Sequence, residues 1–145
     1  MKLKENLLLL GGLVFLAIFI SLSLFSFSVD ESESEREVFE EAVVTRVIDG
    51  DTFEIDSGEH VRFICVDAPE RGMKGAEEAR EFLTELIENK TVLLERDVSE
   101  RDAYGRLLRY VFMDDVFVNR LLVRKNYATV FRYGNDTQRC DEIAE

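Results

Sequence analysis

The chain is poor in the residues that most often announce a site. Its 145 residues hold one histidine, two cysteines and one proline, and no C-x-x-C pair. Without that pair, neither zinc binding nor thioredoxin-type redox chemistry has support. Cys65 lies in the apolar run F-I-C-V and reads as a buried small hydrophobe. A disulfide to Cys140 is permitted outside the cell. Nothing in the sequence places the two Cα atoms within bridging range, so the pairing stays open. The lone His60 starts a strand beside Ser57-Gly58 and reads as a surface turn residue rather than a catalytic one. Internal repeats are absent as well.

Positive charge is also scarce. Eighteen lysines and arginines face 30 acids, a net charge of −12, and residues 41–145 alone hold 23 acids against 15 bases. A passive nucleic-acid binder should be basic, because phosphate neutralisation dominates affinity. The balance therefore argues against a simple DNA- or RNA-binding module. It leaves room for an enzyme whose site is locally basic and carries a metal. The bases do cluster, as Arg96, Arg101, Arg106 and Arg109 and then Arg120, Arg124 and Lys125.

Charge is missing altogether from residues 6–28, an almost unbroken apolar run. About 20 such residues cross a bilayer as a helix. Lys2 and Lys4 precede the run, and Asp30, Glu31, Glu33 and Glu35 follow it. The positive-inside rule then puts the N-terminus in the cytoplasm and the rest outside. Residues 1–28 read as an uncleaved signal-anchor, a single-pass transmembrane helix, because the run exceeds the roughly 7–15 apolar residues of a signal peptide. The alternative is secretion after cleavage near the small residues Ser26 and Ser28. Residues 29–41 contain seven acids and one base and read as a solvated, self-repelling tether.

Residues 42–145 have room for one domain. Strands are expected over 42–48, 52–56, 60–66, 91–95 and 106–113. An amphipathic helix is expected over 77–89, with its apolar residues at the 3.6-residue period and Asn89 as its stop. A short helix over 118–125, an extended segment over 127–131 and a last helix from 137 follow, the last with Cys140, Ile143 and Ala144 on one face. Three strands, a helix, two strands and further helices fit an α+β domain built on a five-stranded OB-type barrel.

The stretch that organises the domain is 49–70, D-G-D-T-F-E-I-D-S-G-E-H-V-R-F-I-C-V-D-A-P-E. It sets Asp49, Asp51, Asp67 and Glu70 near one arginine, Arg62, at strand ends and turns. Asp49-Gly50 is a tight-turn dipeptide, and Pro69 stops the strand that ends near Asp67. Hard oxygen ligands at converging loop ends are what Ca²⁺ needs.

Four blocks in order, V-I-D-G-D-T, V-R-F-I-C-V-D-A-P-E, D-A-Y-G-R-L-L-R-Y-V and V-N-R-L-L-V-R-K-N-Y-A, resemble the thermonuclease (staphylococcal nuclease-like) family over about residues 42–135. The resemblance implies an OB-type barrel and Ca²⁺-dependent hydrolysis of phosphodiester bonds in DNA and RNA. It implies that Asp51 and Asp67 are carboxylate ligands of calcium and that Ala68 contributes its backbone carbonyl. Asp49 matches a carboxylate near the metal that does not ligate it directly. Glu70 matches the general base, and Arg62 and Arg106 the pair on the scissile phosphate. The family's long lysine-rich loop is here only R-G-M-K-G-A, and its base-stacking tyrosines find no clean match, although Arg132 and Tyr133 lie nearby.

The residue types suit the chemistry. Negative charge grows on a phosphate under attack by water, and a metal ion with two guanidiniums neutralises it. The expectation is a membrane-anchored, outward-facing, monomeric nuclease acting on single-stranded or flexible DNA and RNA with little sequence preference. The alternative is a catalytically silent domain serving as a tethered nucleic-acid or calcium-binding module. Such domains usually lose the carboxylates or arginines that this chain keeps.

Overall fold

The computed structural model describes residues 39–145. The anchor expected over 1–28 and most of the tether lie outside them. Among the described residues, no helix is long and apolar enough to cross a membrane.

Five strands close a barrel: β1 (Phe39–Asp49), β2 (Thr52–Ile55), β3 (His60–Phe63), β5 (Thr91–Glu95) and β6 (Leu107–Met113). β1 begins at Phe39 and so takes in the last three residues of the segment read as a tether. Its first half pairs with β5, Phe39 opposite Glu95 and Val43 opposite Thr91. Its second half pairs with β2, from Val44 opposite Ile55 to Asp49 opposite Thr52. Register shifts between Val44 and Arg46 and between Val47 and Asp49 let one strand serve both neighbours, since an extra residue bends and twists a strand. They also explain why burial along β1 steps from Val44 to Val47 rather than by two.

β2 pairs with β3 and β5 with β6, both antiparallel. β3 then pairs with β6 in parallel, Val61 opposite Leu107 and Phe63 opposite Arg109, which closes the ring. This is the order of an OB-type barrel. Phe53, Val61, Phe63, Leu94 and Val111 fill it, each at most 2 % exposed.

The expected strand over 60–66 is in fact two. β3 ends at Phe63, the chain turns through Ile64 and Cys65, and β4 (Val66–Asp67) pairs with β8 (Thr129–Val130). Cys65 takes φ 60° there, a left-handed conformation that residues with a Cβ seldom adopt. A further short strand, β7 (Val116–Phe117), extends the hairpin from β6.

Helix α1 (Ala76–Ile87) buries Ala79, Leu83 and Ile87, spaced four apart, against the barrel. Its first turn carries Glu77 and Glu78, where the helix dipole favours acids. Asn89 stops it with φ 59°, the left-handed exit that asparagine tolerates. α1 lies so close to the Asp49–Asp51 turn that a Cβ on Gly50 would come within 2.7 Å of the Cβ atoms of both Ala68 and Ala79.

Helix α2 (Val118–Arg124) supplies Asn119, fully buried. Its Oδ1 accepts the Val111 N–H at 2.8 Å and its Nδ2 donates to the Ile64 carbonyl at 2.9 Å. That ties β6 to the β3–β4 turn. Helix α3 (Cys140–Ala144) buries Cys140 and Ile143, whereas Ala144 faces solvent against expectation. Cys65 and Cys140 form a disulfide with Cα atoms 5.4 Å apart. The fold thus settles the pairing that the sequence leaves open, and Cys65 is a crosslinked residue, not merely a small hydrophobe.

Candidate active site

The β2–β3 register sets Thr52 opposite Arg62, and the Phe63 N–H donates to the Asp51 carbonyl at 3.1 Å. Asp51 is thereby fixed beside Arg62 by the ladder itself. The Arg62 guanidinium donates from Nη2 to Asp67 Oδ1 at 3.1 Å and forms an ion pair with Asp51 Oδ2, also at 3.1 Å. Its Nη1 donates to the carbonyls of Val66 at 2.6 Å and Phe63 at 3.1 Å. One arginine therefore organises the turn between β3 and β4 and both acids. Asp51 Oδ2 also accepts the Ala68 N–H at 2.7 Å, and Asp51 Oδ1 accepts the Thr52 hydroxyl at 3.1 Å. Asp49 Oδ1 takes the Asp51 N–H at 3.4 Å. Asp49, Asp51 and Asp67 thus gather around Arg62, Glu70 makes no ion pair or hydrogen bond with them, and Ala68 reaches Asp51 through its amide.

Asp51 is almost fully buried. Burial pushes its carboxyl up to about 6; Arg62 and the Ala68 amide pull the other way, and the Asp49 charge adds to the rise. The rise is chiefly the cost of burying the charge, which Arg62 and the Ala68 amide only partly offset. The donors around it are hard oxygens, the type that a hard divalent cation such as calcium takes. Among the described residues, no group of three or more acids, histidines or cysteines is placed to hold a metal. The protein side of such a site would be Asp51 and Asp67, with water and substrate oxygens supplying the rest.

Arg106 stands just before β6, half-buried. Its Nε donates to Asp102 Oδ2 at 2.7 Å, and its guanidinium lies 5.4 Å from the centre of the Tyr104 ring. Closing the barrel through β3 and β6 brings it to the cavity that Arg62 also lines, a space of about 630 Å³. Arg101, Tyr104, Phe131 and Tyr133 share its walls. Tyr104 is 86 % exposed and Tyr133 73 %, and Phe131 and Tyr133 lie nearly parallel with centroids 6.3 Å apart.

Glu70 is set apart. It is exposed, its carbonyl accepts the Met73 N–H at 2.8 Å, and its carboxylate makes no ion pair or hydrogen bond with any described residue. Of the other clustered bases, Arg109 is 4 % exposed and bonded to Glu100 at 2.6 Å, which makes it part of the scaffold.

Sequence reasoning passed over Asp102 and Tyr104. Asp102 Oδ1 caps the turn by accepting the amides of Tyr104 at 2.9 Å and Arg106 at 3.0 Å. Burial opposes its charge, but the Arg106 side chain and these amides outweigh burial and hold its pKa below the usual aspartate value. The signal was present: an aspartate two residues before a Tyr-Gly pair is the residue that caps such a turn with its own side chain.

The fold and site together define an OB-type barrel with an acid–arginine cluster at its strand ends beside an arginine-walled cavity. Within that class the chain belongs to the staphylococcal nuclease homologue family, whose model matches residues 60–145. It is 34 % identical over 142 residues to a thermonuclease of Staphylococcus intermedius, covering 88 % of this chain and 84 % of that protein. A thermonuclease of Staphylococcus hyicus is 36 % identical over 94 residues, covering 59 % of this chain and 56 % of that protein. An uncharacterized endonuclease of Escherichia coli is 35 % identical over 96 residues, covering 63 % of this chain and 61 % of that protein.

Proposed function

We propose that this chain is a Ca²⁺-dependent nuclease that hydrolyses phosphodiester bonds of DNA and RNA with little sequence preference. The observation that carries the reading is that Arg62 and Arg106 line one cavity, with the Asp51–Arg62–Asp67 cluster at its edge. Membership of a family whose relatives are named thermonuclease and endonuclease supports it.

Arg62 and Arg106 grip the scissile phosphate, because a planar guanidinium binds two phosphate oxygens and stays charged at any working pH. Asp51 and Asp67, with the Ala68 carbonyl, would hold calcium, and Asp49 would add to the negative charge there. When bound, calcium supplies charge neutralisation at the phosphate. Glu70, whose carboxylate is free of partners among the described residues, orients the attacking water and accepts its proton. Tyr104 and Tyr133 offer exposed aromatic faces. Unstacked bases can stack on them whatever their identity, which favours single-stranded or flexible substrates.

The anchoring of residues 1–28 in the membrane, with the domain outside and monomeric, is part of the same reading and rests on the charge pattern around the apolar run. Protease added to intact cells should remove the domain; protection until the membrane is opened overturns that orientation.

The deciding assay is hydrolysis of plasmid by the purified chain with calcium and with chelator. Expected is degradation that chelator abolishes and that Glu70→Gln slows by about 10²–10⁴ while substrate still binds. Intact plasmid in the presence of calcium overturns the reading.

A further inference from the structure

Arg101 is a third guanidinium on the cavity that holds Arg62 and Arg106. It sits across a tight turn from Arg106. Arg101 bridges to Leu107, the Asp102 N–H donates to the Arg106 carbonyl at 3.0 Å, and the Gly105 N–H to the Asp102 carbonyl at 3.1 Å. Arg101 and Arg106 thus stand on the two legs of one short turn, and the backbone holds their spacing.

The present partner of Arg101 is informative. Both its terminal nitrogens grip the Glu59 carboxylate, Nη1 at 2.6 Å and Nη2 at 3.2 Å, and Nη1 also donates to the Gly105 carbonyl at 2.9 Å. Two parallel N–H donors on two oxygens of an anion is also how arginine binds a phosphate. Glu59 lies in the loop between β2 and β3 and fills that fork with a carboxylate. The pair is exposed, 43 % and 40 %, and an exposed ion pair contributes little stability. An incoming phosphate can replace Glu59 at small cost.

We propose that Arg101 binds a substrate phosphate other than the one cleaved, displacing Glu59, and so makes the enzyme prefer substrates longer than one phosphodiester. The inference rests on the nuclease reading of the same cavity. Arg62 and Arg106 serve the scissile phosphate there, so the guanidinium on the other leg of the turn is available to the next one along the strand. Glu59 is then a rim charge that repels the polyanion until it is exchanged. In a domain already acidic overall, that exchange favours ligands able to engage Arg101 with two oxygens.

The test compares wild type, Arg101→Ala and Glu59→Gln on two substrates: a dinucleoside monophosphate, with one phosphodiester, and a single-stranded octanucleotide. Arg101→Ala should raise KM for the octanucleotide about tenfold, the scale of one charge-assisted hydrogen bond, leave kcat within about twofold, and leave the dinucleotide unaffected. Glu59→Gln should lower KM for the octanucleotide only. Octanucleotide binding in chelator, where nothing is cleaved, gives a second readout by fluorescence anisotropy. There Arg101→Ala should lower the slope of log K against log salt by about 0.7, the loss of one single-strand phosphate contact. Equal effects on both substrates, or an unchanged salt slope, overturn the proposal. A wild type that binds the octanucleotide but cleaves neither substrate overturns the nuclease reading instead, and the salt slope still decides Arg101.

Discussion

Asp102 fixes Arg106 from both sides: Oδ2 takes the guanidinium Nε at 2.7 Å while Oδ1 takes the Arg106 amide at 3.0 Å. A side chain so held has little freedom left to lose when it meets a phosphate, which is the benefit of preorganisation. Asp102→Ala removes both bonds, and a misplacement of about 1 Å at a reacting group costs roughly 10²-fold. Turnover should fall by about that factor with the fold intact by circular dichroism. Asp102→Asn, which can still cap the turn, should lose less. Equal turnover in all three proteins would remove Asp102 from the positioning of Arg106.

Asp51 predicts a trade between stability and activity. Its folded carboxyl holds a proton up to about pH 6, against 3.8 ordinarily. The folded state therefore binds more protons between those values, and stability rises as pH falls through that window. Above it the cost of the buried charge is complete, on the order of 1–3 kcal/mol. Asp51→Asn should be more stable than wild type at pH 8 without calcium, less so at pH 5, and inactive at both. Urea unfolding at the two pH values measures this. A destabilised Asn variant at pH 8 would show that Arg62 already offsets the charge.

Gly50 is a packing prediction with a catalytic consequence. An added Cβ would lie 2.7 Å from both Ala68 and Ala79, closer than real Cβ contacts, and neither neighbour is flexible. Overpacking of this kind costs about 1–3 kcal/mol. Gly50→Ala should lower the urea midpoint accordingly. It should also weaken calcium binding, because the displaced turn carries Asp51. Calorimetry on the folded variant separates the two effects, and unchanged midpoint and affinity would mean that α1 moves freely.

These residues also show what could be read from sequence and what could not. The Asp51–Arg62–Asp67 cluster was legible because its members lie within 17 residues of one another, on strands and turns with local signals such as Asp49-Gly50 and Pro69. Asn89 announced the end of α1 for a local reason too. The break between β3 and β4 was not legible. Phe63 to Val66 is an apolar run without glycine or asparagine, and Cys65 is turned by the Asn119 bond and by its crosslink, both distant in sequence. β4, β7 and β8 are two residues each, too short for any period to register. The cavity needed Arg101, Arg106 and Tyr133 to be brought to Arg62, which only the closed barrel does.

The crosslink gives the fourth prediction. Cys65 and Cys140 are 75 residues apart, and closing a loop of that size in the unfolded chain contributes roughly 2–5 kcal/mol in chain-entropy accounts. The paired Cys65→Ser, Cys140→Ser variant, or wild type in excess dithiol, should lose that much in urea unfolding. Because the Cys65 carbonyl also accepts the Phe131 N–H at 3.1 Å, proteolysis of the reduced protein should begin within residues 131–139. An unchanged unfolding midpoint would make the bond an ornament of a fold already stable without it.

The parallel pairing of β3 with β6 has a consequence for when this protein becomes able to act. Arg62 lies opposite Leu108 in that ladder, and the segments meet only after the intervening helix and β5 have found their places. Contacts so distant in sequence form late and slowly. A chain emerging from synthesis can fold the Asp49–Asp67 hairpin early, yet Arg106 joins Arg62 at the cavity only when the ring closes. On the roles proposed for these two arginines, activity would itself report completed folding.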